Sequence, residues 1–293
     1  MPAYLIALLC LVLFLLLLVL LALLAIRPNR RRRATALYTS YNYAHRGLHD
    51  EHLPENSLAA FEAACRAGYG IELDVRLSRD GIPVVFHDDT LRRVCNRDGM
   101  VSDYTAEQLS AMLLEGKSAH TIPTLRAVLD TVDGRVPLIV EIKAGRDADP
   151  VCSAAMALLD HYTGAFCIES FSPYAVRWFR RNRPLLVRGQ LSDCFHREKG
   201  HRSLPFLLVE SLCTNFLTRP DFIAFRHSCP RHLPLRIATR LYGAASFAWT
   251  PRGDDQILNA LAFFDAVIFE NGNPPERNAS HETESGRHLP FRS

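Results

Sequence analysis

Residues 4–26 are an unbroken apolar run, and a soluble fold has no place for it. At about 1.5 Å of rise per residue, a helix of that length crosses the roughly 30 Å core of a bilayer. The three residues before it carry no charged side chain, and the run is longer than the apolar core of a cleaved signal peptide, so it reads as a retained anchor. Arg27, Arg30, Arg31, Arg32 and Arg33 follow at once. By the positive-inside rule this flank makes the chain a single-pass protein of the cell membrane, with the remainder on the cytoplasmic side. The same arginines attract anionic head groups. They also account for much of the basic excess in a chain of net charge +3. No basic stripe with interleaved aromatics runs through the rest, which argues against nucleic acid as a partner. The eight cysteines are scattered without a C-x-x-C pair, so no zinc site is readable. Several fall in apolar patterns, where free cysteine acts as a small hydrophobe, and this fits a reducing compartment.

Beyond a basic juxtamembrane linker (27–40), the chain alternates strand-like and helix-like segments over 41–270. Strand candidates are 41–45, 70–75, 83–87, 137–142, 165–170, 185–191, 222–225, 245–249 and 266–269. Helical spacing appears at 57–67, 105–113, 124–132, 150–159, 173–181, 205–217 and 254–264. Repeated β-then-α units imply a parallel sheet, and about eight imply a closed barrel. Nine strand candidates are one too many. The link from Val75 to Pro83 is also too short for a crossover helix. The expected fold is therefore an irregular α/β TIM (β/α)8 barrel preceded by one transmembrane helix. Residues 271–293 are polar and read as a flexible tail. The run Phe206-Leu207-Leu208-Val209 reads as the buried face of a barrel helix rather than a lipid contact.

Charged residues interrupt the apolar strands toward one end. His45, Glu72, Asp74, His87 and Glu141 sit in or just after strand-like runs, and the C-terminal rim of such a barrel is where reactive groups collect. Glu72 and Asp74 are two apart and share a face. Two same-facing carboxylates in an apolar strand need positive charge between them. Arg46, Arg76 or Lys143 could supply it. A divalent cation with Glu141 as third ligand answers better, given two histidines in similar positions. An all-carboxylate set favours Mg²⁺ or Ca²⁺ over zinc. Imidazoles titrating near neutrality suit proton transfer to and from phosphate oxygens.

The runs Ala44-His45-Arg46-Gly47, Pro54-Glu55-Asn56-Ser57, Ile71-Glu72-Leu73-Asp74-Val75 and Asp80-Gly81-Ile82-Pro83-Val84-Val85-Phe86-His87-Asp88 together resemble the glycerophosphodiester phosphodiesterase family, in the style of a membrane-anchored bacterial member. Ile122-Pro123-Thr124-Leu125, Glu141-Ile142-Lys143, Ser170-Phe171 and Trp249-Thr250 continue the likeness more weakly. The resemblance implies metal-dependent hydrolysis of small glycerophosphodiesters to glycerol 3-phosphate and an alcohol. It implies His45 and His87 as the general acid–base pair, and Glu72, Asp74 and Glu141 as metal ligands. Arg46 and Lys143 would contact phosphate, and Trp249 would line the pocket. The family often ends its last strand with Thr-Asp and a turn proline; Phe269-Glu270-Asn271 stands there instead, which puts the far wall of the pocket in question. Two other readings remain: a membrane-tethered lysophospholipase D-type enzyme acting on lipids, and a non-catalytic membrane-associated binding barrel.

Overall fold

Short strands buried on both faces decide the architecture. The computed structural model describes residues 2–116, 119–196 and 203–275. The part of the expected tail from 276 to 293 lies outside them. Nine strands form: β1 Tyr43–His45, β2 Gly70–Leu77, β3 Pro83–Val85, β4 Leu138–Ile142, β5 Phe166–Ser170, β6 Arg188–Ser192, β7 Phe222–Arg226, β8 Ala245–Arg252 and β9 Ala266–Glu270. Eight are parallel and close on themselves through the β1–β2 and β1–β9 pairings. The ninth, β3, pairs antiparallel with β2 outside the ring, which resolves both the surplus strand and the short link.

Among the described residues the helices are α1 Ala3–Ile26, α2 Arg32–Thr39, α3 Leu58–Arg66, α4 Arg92–Cys95, α5 Ala106–Ser110, α6 Leu125–Val132, α7 Asp149–Leu159, α8 Pro173–Asn182, α9 Leu204–Glu210, α10 Asn215–Thr218, α11 Leu233–Arg236 and α12 Gly253–Leu261. Ser57, Thr105 and Thr124 each accept a hydrogen bond from a first-turn amide, which fixes where α3, α5 and α6 begin. The helix expected over 205–217 is instead α9 and α10, separated by Leu212 at φ 56°. Phe206, Leu207 and Leu208 are exposed and only Val209 is buried, so that run is not the buried face it resembled.

Outward strand residues such as Leu73, Val140, Ile168 and Val267 pack with the surrounding helices. Inward residues Tyr43, Ile139, Cys167, Leu191, Phe222, Phe247 and Ile268 fill the lower barrel. Two inward glycines make room for the largest of these. A Cβ on Gly189 would lie 2.1 Å from the Phe222 ring, and one on Gly70 would lie 2.5 Å from Tyr43. The base is plugged by α2, within the segment that reads as a linker. Its Tyr38 joins the interior cluster, hydrogen-bonds the Phe166 carbonyl, and accepts at its own carbonyl from Tyr43 Oη at 3.0 Å. Cys194 and Cys229 form a disulfide across the loops after β6 and β7.

Deleting the Tyr38 ring should uncap the barrel floor. Tyr38→Ala is expected to cost about 3–5 kcal/mol, the usual scale for a buried aromatic, measured by denaturant unfolding of the full chain in mild detergent. A change below about 1 kcal/mol would show that α2 is not part of the cooperative core.

Candidate active site

The last inward position of most barrel strands is polar. From β1 and β2 come His45 and Glu72, side by side in register; from β2, β4 and β5 come Asp74, Glu141 and Glu169, again in one row. Arg226, Trp249 and Glu270 end the inward faces of β7, β8 and β9. An open cavity of about 610 Å³ sits on this layer. His45, Arg46, Glu72, His87, Glu141, Lys143 and Trp249 all line it, so one hollow collects seven of the eight residues singled out from sequence. The eighth, Asp74, is fully buried and reaches Lys143 Nζ at 2.9 Å and Arg46 Nε at 3.2 Å.

The loop after β1 is shaped by backbone conformation. Arg46 has φ 57° and Gly47 φ 83°. A Cβ at Gly47 would also strike the Ala60 backbone at 2.8 Å, so glycine is required there. The turn aims the Arg46 amide at Glu72 Oε2, 3.1 Å away. Arg46 Nη1 donates to Glu55, Arg93 donates to both Glu55 and Asp88, and Asp88 meets His87 Nδ1 at 2.6 Å. Asn56 Nδ2 donates to Asp74 at 2.9 Å. The Pro54-Glu55-Asn56 segment thus ties the Arg46 loop to the metal-type acids and, through Arg93, to His87. Sequence reading quoted Glu55, Asn56 and Asp88 without giving them roles, and it missed Arg93 and Glu169.

Each histidine is oriented through Nδ1 by a carboxylate, Glu270 at 2.5 Å for His45 and Asp88 for His87. That hydrogen bond favours the Nδ1–H tautomer and leaves each Nε2 as the proton acceptor. Glu270 therefore fills the position where the last strand departs from the family pattern. It also pairs with Arg252 Nε at 2.6 Å. Trp249 is fixed by donation from its indole to the Ser192 carbonyl at 3.0 Å, with the Arg226 guanidinium 4.7 Å over its ring.

Glu72, Asp74 and Glu141 offer oxygens that all lie within 4.8 Å of one another. Glu72 Oε1 is buried and has no hydrogen-bond partner. Burial, then Asp74, Glu141 and Glu169, push the Glu72 carboxyl well above its ordinary pKa. Burial also acts on Asp74, but Lys143 and Arg46 outweigh it and hold that group well below the usual range. Lys143 Nζ lies 2.7 Å from Glu141 as well, bridging two of the three acids. A crowded set of carboxylates with an orphaned buried oxygen fits a hard divalent cation.

Burial is also the main cause that lowers both histidine pKa values; Arg46 adds to it at His45, and Lys143 and Arg46 add to it at His87, which falls to about 4. Both rings are neutral at pH 7. A lowered histidine pKa disfavours proton uptake in the fold, so stability from His87 is complete above the unfolded value near 6.5 and is lost as pH falls toward 4. Imidazole NMR across this range should place the His87 midpoint near 4, and a midpoint near 6.5 would contradict the buried setting.

Residues 45–262 match the glycerophosphoryl diester phosphodiesterase family. A glycerophosphodiester phosphodiesterase of Caldanaerobacter subterraneus subsp. tengcongensis is 34% identical over 171 residues, covering 55% of this chain and 70% of that protein. One from Bacillus altitudinis is 43% identical over 107 residues, 34% of this chain and 43% of its own length. Among solved structures, the Thermotoga maritima glycerophosphodiester phosphodiesterase superposes with a TM-score of 0.58 at 26% identity, over 78% of this chain and 92% of that one. An Oleispira antarctica phosphodiesterase in complex with sn-glycerol-3-phosphate shares the fold, with TM-score 0.63 at 24% identity over 80% and 94% of the two chains. With the family match spanning most of the chain and a closed parallel barrel beneath it, this protein belongs to the glycerophosphoryl diester phosphodiesterase family.

Proposed function

We propose that this chain hydrolyses glycerophosphodiesters to glycerol 3-phosphate and an alcohol, with His45 and His87 moving the protons. One observation carries the reading: two carboxylate-oriented imidazoles line the same cavity as Glu72 and Glu141, whose oxygens with those of buried Asp74 form a cluster suited to a divalent cation. Glu72, Asp74 and Glu141 would hold Mg²⁺ or Ca²⁺, and such an ion supplies charge neutralisation at the phosphate. Arg46 and Lys143, already at the cavity wall, share that work.

One neutral imidazole takes the proton of the glycerol 2-hydroxyl as its oxygen attacks phosphorus, and the other gives a proton to the departing alkoxide. Water then opens the cyclic phosphate with the roles reversed, which returns both rings to their starting states. A phosphate anion beside the donor imidazole raises its pKa, so that this ring takes up a proton with the substrate and carries it for the transfer. Glu270 and Asp88 keep both Nε2 atoms turned to the cavity. Trp249 and Phe171, with ring centres 5.3 Å apart, form an apolar wall beside the acids for the carbon skeleton of the substrate.

A second reading has one observation in its favour. From Phe171, ring contacts continue to Phe195 at 6.1 Å and from there to exposed Phe206 at 5.0 Å. This aromatic file leads from the cavity to the surface and suits an apolar leaving group, as in a lysophospholipase D-type reaction. In both readings residues 4–26 are a retained single-pass anchor, supported by a helix of mean hydropathy 3.5 whose most apolar stretch has no buried residue. The segment 27–40 joins it to the catalytic barrel, 41–270.

Turnover of a panel of phosphodiesters, with and without chelator, tests the proposal directly. Glycerol 3-phosphate should appear from glycerophosphocholine only with divalent metal present. His45→Ala and His87→Ala should each lower kcat by at least about a hundredfold. Near-normal turnover with metal still bound would remove that histidine from the scheme. Glu72→Ala should weaken metal binding by calorimetry, and a titration matching the unmodified protein would refute its place as a ligand.

A further inference from the structure

The apolar helix is not loosely tethered. Its last turn is built into the base of the barrel. Ile26 is buried, and its carbonyl accepts from the buried Asn215 side chain at 2.8 Å. The Leu23 carbonyl accepts from Tyr242 Oη at 2.9 Å, and the Arg27 carbonyl from Arg219 Nη1 at 2.7 Å. The five-arginine cluster then divides. Arg31 pairs with buried Asp221 and donates to the carbonyls of Leu185 and Leu186; Arg32 donates to the Gly243 carbonyl. These partners lie in the segments that lead into β6, β7 and β8. Every tie therefore lies at the N-terminal ends of strands, opposite the cavity. A five-residue strand, about 16 Å at 3.3 Å per residue, separates the two faces.

Arg180 and Arg219 lie at the same face and donate to backbone carbonyls, Arg180 to those of Phe216 and Leu217 and Arg219 to that of Arg27. Arg27, Arg180 and Arg219 have no ion-pair partner among the described residues. Burial first, then the guanidiniums of Arg180 and Arg27, lower the Arg219 pKa, which reflects cations crowded together without an acid. Beside them Phe216 and Leu241 are 52% and 58% exposed, on α10 and the turn of π-helix that follows α11, the two elements touching α1. Guanidiniums without an acidic partner and exposed apolar side chains around the foot of a bilayer-length apolar helix match one surface: the interface of a membrane containing anionic lipid.

We infer that the base of the barrel is a docking face for anionic lipid head groups, and that it holds the catalytic mouth toward water. The enzyme accordingly takes diffusible glycerophosphodiesters and does not draw lipids from its own bilayer. This rests on the reading of residues 4–26 as a span and on the phosphodiesterase proposal. It keeps the aromatic file for apolar groups that arrive through the aqueous phase.

Hydrogen exchange of the full chain in vesicles separates the possibilities. Base segments 214–219 and 240–243 should exchange more slowly in phosphatidylcholine with about 30% phosphatidylglycerol than in phosphatidylcholine alone. The rim segment 49–55 should not change. Equal exchange at the base in both lipids, or protection of the rim, overturns the docking face. In the same metal-supplied vesicles, added glycerophosphocholine should be hydrolysed at least about tenfold faster than lysophosphatidylcholine held in the bilayer, a margin of about 1.4 kcal/mol in barrier. Comparable rates overturn the stated substrate class. If neither compound is cleaved, the phosphodiesterase reading fails, while the exchange data still decide the orientation. A chain that leaves the vesicles in carbonate wash defeats the span itself.

Discussion

Four carboxyl groups, Glu72, Asp74, Glu141 and Glu169, are buried at the top of one barrel, and the rest of the site is arranged around that electrostatic cost. Removing a carboxylate from water costs several kcal/mol unless cations or hydrogen bonds replace the solvent. Lys143 sits between Asp74 and Glu141, and Arg46 lies against Asp74. Asp74 is thereby satisfied as an anion. Glu72 and Glu169 are not: burial and the neighbouring acids push each toward its neutral form. The barrel stores this imbalance because its lower half is apolar and well packed. The aromatic layer of Tyr43, Phe222 and Phe247 supplies burial that a site with unpaired charge cannot.

Placement of the two histidines follows from the same frame, by different routes. His45 ends β1 and is held directly by register beside Glu72. His87 follows β3, the strand outside the barrel, and reaches the rim because Phe86 N donates to the Asp74 carbonyl at 2.9 Å. Arg76 then donates to the His87 carbonyl at 2.8 Å. The antiparallel β2–β3 excursion is therefore what brings a second imbidazole-bearing loop over the acids, where a crossover helix would have carried the chain to the barrel exterior. Its outer side has a separate small core, with Leu91, Val94, Leu109 and Ile122, that keeps the loop in place.

Much of this was legible in the sequence because it follows from local patterns. Short apolar runs marked all nine strands, and Thr105 and Thr124 marked helix starts. The two-residue spacing of Glu72 and Asp74 placed them on one face. What was hidden depends on partners far along the chain. Nothing near Arg31 in sequence announces Asp221, 190 residues away, so the base-plugging helix α2 read as a basic linker. The disulfide between Cys194 and Cys229 is likewise a matter of two loops meeting at the rim. Phe206 to Leu208 misled because helical apolar spacing does not state which side is covered.

Glu270 shows how closure of the barrel turns sequence distance into chemistry. An acid at the end of the last strand, 225 residues from His45, becomes its neighbour because β9 pairs with β1. Read along the chain, Phe269-Glu270-Asn271 was a departure from a motif; in the ring it is the group that fixes the first histidine's tautomer. Glutamate is one methylene longer than aspartate. It spans the gap from β9 to His45 Nδ1 while its second oxygen meets Arg252, so its charge is neutralised on one side and used on the other. The pairing holds the Glu270 carboxyl well below its ordinary pKa despite burial, which keeps it an anionic acceptor for His45 Nδ1–H.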